Sequence, residues 1–164
     1  MSGETGADCA AVLLVGAKPC DARVVSCGLS REDISVDVAA DVREVIDRLT
    51  EVSEVEANAA LPRLVALDFT TEPDDSLTVL KAIRASPRLK LLPAVALVSH
   101  TVADDEARER VQRAYQHGVN GHVSGLDDTE SYADAIQEMA TFWFDQVALP
   151  PKSLYFDGAS LRYD

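Results

Sequence analysis

The sequence predicts an α/β fold, a doubly wound (βα)5 arrangement around a five-stranded parallel sheet. Three observations carry that prediction. Short unbroken apolar runs recur at 11–15, 64–67 and 94–98, as in strands buried on both faces. Stretches with helical apolar spacing lie between them, so strand and helix alternate along the chain. The size suits one such unit, because 164 residues, 47% hydrophobic and 26% charged, is a globular composition of ordinary domain length.

Each element has its own signal. The first strand, 11–15, stops at Gly16. Asp21 stands where an N-cap would, ahead of Ala22, Val24, Val25 and Leu29, and this short helix is expected to end near Gly28. Ile34, Val36 and Val38 alternate with polar residues, the pattern of a strand with one covered face. Val42, Val45, Ile46, Leu49 and Val52 recur at helical spacing behind Asp41. An acidic, Ala-rich stretch to Ala60 reads as a loop. The run 64–67 leads straight into Asp68. Leu77, Leu80 and Ile83 mark a helix capped by Asp75 or Ser76 and closed by Ser86-Pro87. After the strand at 94–98, Ala107, Val111, Ala114 and Tyr115 line one helix face. Arg108, Arg110 and Arg113 stand on the other, a solvated face or a docking patch, and Gly118 ends the helix. A short strand is expected at 119–123. Tyr132, Ala135, Ile136, Met139, Trp143 and Val147 form the stripe of a last long helix, stopped by Pro150-Pro151. Residues 1–10 and 151–164 then read as tails around a domain at 11–150.

Charge narrows the partners. Asp and Glu number 28 against 15 Lys and Arg, for a net charge of −13. Such a surface repels phosphate backbones and anionic lipid, so neither nucleic acid nor membrane is an expected partner. The longest apolar run, 91–98, is far short of the ~20 residues that span a bilayer. No basic residue precedes the first apolar run, so no secretory signal is read and a cytoplasmic location is expected. An acidic surface with few Lys suits a salt-loaded, halophilic cytoplasm, and a GC-rich genome gives the same composition. Cys9, Cys20 and Cys27 show no CxxC spacing and are expected to be reduced packing residues.

In a doubly wound sheet the working site lies at the carboxyl ends of the strands, here 16–17, 68–70, 98–99 and 124–126. Asp68 is the one carboxylate that directly follows a buried strand. There it suits a nucleophile towards a phosphoryl group, a cation ligand, or a carboxylate that only hydrogen-bonds its loop. His100, His117 and His122 lack metal-ligand spacing, and no metal site is expected from them. Gly16-Ala17-Lys18-Pro19 is not a phosphate loop, so nucleotide binding has no support and no enzyme is expected.

The element order, and above all Leu64-Val65-Ala66-Leu67-Asp68 with the spacing from Asp68 to Leu80, resembles the receiver domain of response regulators. These form the CheY-like superfamily, with a flavodoxin-like fold. The stretch 86–93 before an apolar strand fits the same pattern. Val119-Asn120, Phe142-Trp143 and the ending at 147–150 are similar to stand-alone receivers that partner bacterial phytochrome kinases. The resemblance covers 12–150. It implies two-component phosphorelay signalling, Asp68 as phosphoacceptor, and a sensor histidine kinase or other signalling protein as partner.

It also implies a degenerate pocket around Asp68 and Thr70. The two acidic residues that receivers place after the first strand align with Gly16 and Ala17, and neither Asp21 nor Asp74 has the spacing to replace them. The hydroxyl that ends the fourth strand aligns with Val98, with Ser99 one place later. The Lys after the fifth strand aligns with Gly125, followed by Leu126, and the aromatic switch position is His122. Phosphoryl transfer depends on cations that gather and neutralise anionic groups, and Mg²⁺ held by one carboxylate, one carbonyl and waters is weak. No cofactor is therefore expected beyond weak Mg²⁺ at Asp68. The expected protein is an atypical stand-alone receiver that acts by protein–protein contact with little or no Mg²⁺-dependent phosphorylation. The alternative is a working phosphoacceptor at Asp68; a small flavodoxin-like enzyme or cofactor carrier is a more distant one. Switch and interface positions are expected at Tyr115, His122, Tyr132, Phe142, Trp143 and Phe144. Because Phe142, Trp143 and Phe144 cannot all face one core, a homodimer or partner surface that includes Phe142 or Phe144 is expected on the last helix.

Overall fold

A computed structural model of the chain describes residues 10–16, 34–39, 42–50, 62–87, 89–124 and 128–146, with 23, 25, 26, 28 and 29. The strands are β1 (Ala10–Val15), β2 (Ile34–Ala39), β3 (Leu64–Asp68), β4 (Ala94–Leu97) and β5 (Gly121–Val123). The helices are α1 (Val42–Thr50), α2 (Pro73–Ala85), α3 (Asp104–Gln116) and α4 (Thr129–Thr141), and α4 runs on into a π-helical turn at Phe142–Gln146. The five strands form one parallel sheet in the order β2-β1-β3-β4-β5. This is the predicted fold class. The tails, Asp21, Asp41, Val52, Val147 and the three cysteines lie outside the described residues.

Alternation along β1 explains the two cores. Leu13 and Val15 join a cluster with Val45 and Leu49 of α1, Leu80 and Ile83 of α2, and Ala114 of α3. Val12 and Leu14 face the other way, against Val25, Leu29, and Tyr132 and Ile136 of α4. Helices thus cover both faces, which is why β1, β3 and β4 read as unbroken apolar runs. Gly28, expected at a helix end, is helical and is followed by a turn at Leu29. A Cβ there would lie 2.8 Å from the Ala133 carbonyl, so Gly28 serves close packing against α4.

Other expectations shift for local reasons. Val38 is 48% exposed instead of covered, because β2 is the edge strand. The helix predicted from Leu77 starts earlier, with Pro73 in its first turn, where a missing N–H costs nothing, and no side-chain cap. Ser76 is therefore no cap but a buried residue one turn inside the helix. Gly118 ends α3 as expected, at φ 103°.

The amino ends of β4 and β5 are tied by Arg84 of α2. Its Nε donates to the Gly118 carbonyl at 2.9 Å, and Nη1 to the carbonyls of Lys90 and Leu92 at 3.0 and 2.7 Å. Nη2 donates to Asn120 Oδ1 at 2.9 Å, which also accepts from the Ala94 N–H. Asn120, singled out by the resemblance, joins the two strand starts.

Candidate functional site

The strand order reverses direction between β1 and β3, and a doubly wound sheet opens its crevice at that switch point. Gly16 follows β1 and Asp68 ends β3, so the two flank it. Asp68 is fully buried. Its Oδ1 accepts the Thr70 N–H at 2.8 Å, and its backbone carbonyl accepts the Ser76 hydroxyl at 2.6 Å. The loop after β3 thus turns back over its own carboxylate.

Gly16 has φ 84°, a region that favours glycine, and a Cβ built there would lie 2.7 Å from Ser76 Oγ and 3.2 Å from the Asp68 carbonyl. Any acidic residue at 16 would need that Cβ. Ala17 and Gly125 lie outside the described residues, as does Leu126. Val98 is buried and its N–H donates to the Val123 carbonyl at 2.9 Å. Ser99, also buried, donates its N–H to Thr70 Oγ1 at 2.9 Å, and its hydroxyl accepts from the N–H and hydroxyl of Thr101, each at 3.3 Å. Asp74 stands in solvent with its carboxylate 3.4 Å from Arg113 and takes no part.

The structure gives Arg110 a place at this site that the sequence did not point to. Arg110 of α3, with only 19% of its side chain exposed, sends Nη1 to the carbonyls of Phe69 and Thr70. Its Nη2 meets Glu106 Oε2 at 3.0 Å, one helical turn away. The three arginines of α3 are therefore not one solvated face, since Arg110 folds back onto the Asp68 loop. The only sequence signal was the Glu106–Arg110 spacing, common on exposed helices. Among the described residues no three His, Cys, Asp or Glu side chains converge on a point a metal ion could take. Among the described residues the site thus holds one buried carboxylate, a glycine with no room for a Cβ, and two loop carbonyls bonded to a guanidinium.

The expected switch and interface residues divide. Tyr115, expected on the buried face of its helix, is 46% exposed instead, with its hydroxyl 2.9 Å from His122 Nδ1 and the two rings edge-on at 5.5 Å. Tyr132 is buried in the core and is no surface residue. Phe144 packs against that core with Trp143, whereas Phe142 is 48% exposed and meets Trp143 edge-on. The predicted stripe Tyr132, Ala135, Ile136, Met139 and Trp143 packs on one core, and Phe144 of the π-helical turn joins it there. Tyr115, His122, Met139, Phe142 and Trp143 line a groove of about 540 Å³ along β5 between α3 and α4.

Solved structures share this architecture. The Mn²⁺-bound form of response regulator Rcp1 is 26% identical at a TM-score of 0.68, over 86% of this chain and 99% of that one. The phosphorylated cyanobacterial phytochrome response regulator RcpA is also 26% identical, at a TM-score of 0.69, over 87% and 99%. The chain has the fold of these CheY-like receiver domains. No family model matches it. A curated relative, the probable methanogenesis regulatory protein FilR2 of Methanothrix harundinacea, is 32% identical over 84 residues. That stretch is 51% of this chain and 51% of the relative, so the chain spans about half the length of the curated relative it matches. No described helix is long and apolar enough to cross a membrane.

Proposed function

We propose that this receiver signals by contact with another protein, a sensor histidine kinase or a second copy of the chain, with little or no Mg²⁺-dependent phosphorylation of Asp68. The observation that carries the reading is the space at Gly16, where a second carboxylate would have to pass Ser76 Oγ at 2.7 Å. Transfer of a phosphoryl group to a carboxylate brings anions together, and catalysis rests on cations and donors placed around them. The sequence offers Ala17, Val98 and Gly125 where the resemblance leads one to expect an acid, a hydroxyl and an ammonium. On this reading the partner contacts the groove along β5, where Phe142 leaves apolar surface uncovered. RcpA, similar in fold, was solved phosphorylated, which is what favours the second reading, Asp68 as a working phosphoacceptor. A small phospho-donor with Mg²⁺, followed on a phosphate-retarding gel, separates the two. The full chain is expected to run as a single band. A retarded band that disappears in Asp68→Asn would establish the phosphoacceptor instead.

A further inference from the structure

Thr70 has all three of its polar groups committed, each to a different part of the molecule. Its N–H donates to Asp68 Oδ1, its hydroxyl accepts the N–H of Ser99 beyond β4, and its carbonyl accepts from Arg110 of α3. Arg110 also holds the Phe69 carbonyl, at 2.9 Å. Two consecutive carbonyls of one loop therefore point at one mostly buried cationic group. Neighbouring carbonyl dipoles aimed together repel each other, and a positive charge between them relieves this.

We propose that Arg110 is the resident cation of the Asp68 loop, a positioning residue that fixes the loop without a divalent metal and fastens it to α3. A hard cation over Asp68 would need oxygen ligands from this loop. It would find the carbonyls of Phe69 and Thr70 bonded to a guanidinium, and would feel that like charge at short range. The clamp also has a direction: Arg110 lies on the helix that presents Tyr115 to the groove along β5. Order in the loop and the placement of that helix are thus set by one side chain. The inference rests on the reading of a metal-independent receiver, and extends it by naming the group that stands in place of the ion.

Amide hydrogen exchange on the full chain tests it, with wild type, Arg110→Gln and Arg110→Lys each measured in Mg²⁺ and in chelator. In wild type the amides of Thr70 and Ser99 are expected to exchange at the same rate in both solutions. In Arg110→Gln they are expected to exchange about tenfold faster in both solutions, because the loop has lost its clamp and a single carboxylate does not recruit Mg²⁺ to replace it. The Lys variant, with charge but no planar fork, falls between. Unchanged exchange in a folded Arg110→Gln would overturn the proposal, as would wild-type protection that rises with Mg²⁺. Should Arg110→Gln not fold, the wild-type pair of measurements decides alone: equal rates support the clamp and unequal rates overturn it. A retarded phospho-band with metal-insensitive exchange would sink the phosphate-independent reading and leave the clamp standing.

Discussion

Two arginines of neighbouring helices use the same chemistry at opposite ends of the sheet. Arg84 of α2 spends its guanidinium at the amino ends of β4 and β5, on three backbone carbonyls and the Asn120 amide oxygen. Arg110 of α3 spends its own at the carboxyl end of β3, on two carbonyls and an exposed glutamate. The first joins a loop, a helix end and a strand start at the end of the sheet away from Asp68. The second holds the loop after Asp68, the one buried carboxylate among the described residues. Charge-assisted bonds to backbone are strong in both places, and what differs is the consequence of losing them. At the amino end the loss is stability. At the carboxyl end it is the shape of the site.

The largest expected effect breaks the comparison at its stronger member. Arg84→Ala removes four donors and leaves the Gly118, Lys90 and Leu92 carbonyls and Asn120 without that partner. Bonds to a charged group contribute about 1.5–3 kcal/mol each, with water restoring part of what an exposed acceptor loses. We expect a loss of about 2–4 kcal/mol in urea denaturation, with exchange at Thr70 unchanged. Arg110→Ala is expected to cost less. The hydrogen bonds of the two residues lie at opposite ends of the sheet, so the double variant should add to within about 0.5 kcal/mol. A large departure from additivity would mean that the two ends are one mechanical unit.

The next effect sharpens the carboxyl end. Gly16→Ala forces a Cβ into a left-handed backbone 2.7 Å from Ser76 Oγ, and is expected to cost about 1–3 kcal/mol. Ser76→Ala loses one hydrogen bond, about 1 kcal/mol. Because the second change removes the atom that the first strikes, the pair should cost less than the sum. Full additivity in a denaturation cycle would show that backbone strain, and not Ser76, excludes a side chain at 16.

Much of this frame was legible in the sequence, and the physical reason is local. β3 and β4 are covered on both faces, so they could only be apolar throughout, and the carboxylate closing β3 stood out against them. Val38 misled because alternation reports a pleat and not whether anything lies over it. Ser76 was read as a cap since a hydroxyl near a helix start usually is one, yet Pro73 already begins the helix. Arg110 was least legible. A long side chain on a helix has its Cα position fixed by periodicity, but the end of its guanidinium depends on which loop passes within reach, and that is tertiary information.

The smallest expected effect concerns a third polar anchor at the carboxyl end, one that stands in solvent. Asp128 caps α4, its Oδ1 accepting the Ser131 N–H at 2.8 Å. That backbone bond, with the Ser131 side chain and the nearby charge of His100 after it, holds the carboxyl below its usual value of 3.8. A carboxyl whose folded value is depressed contributes stability above its unfolded value, and loses it as pH falls through the folded one. Asp128→Ala should therefore melt below wild type at neutral pH, and the gap should close as the pH drops below about 4. Asp128→Asn keeps an acceptor but no charge, so it should lie between the two at neutral pH and show less narrowing on acidification. Melting temperatures of the three proteins across that range check it. A gap between wild type and Asp128→Ala that persists undiminished into strong acid would show that the bond to Ser131, rather than the charge, is what the cap supplies.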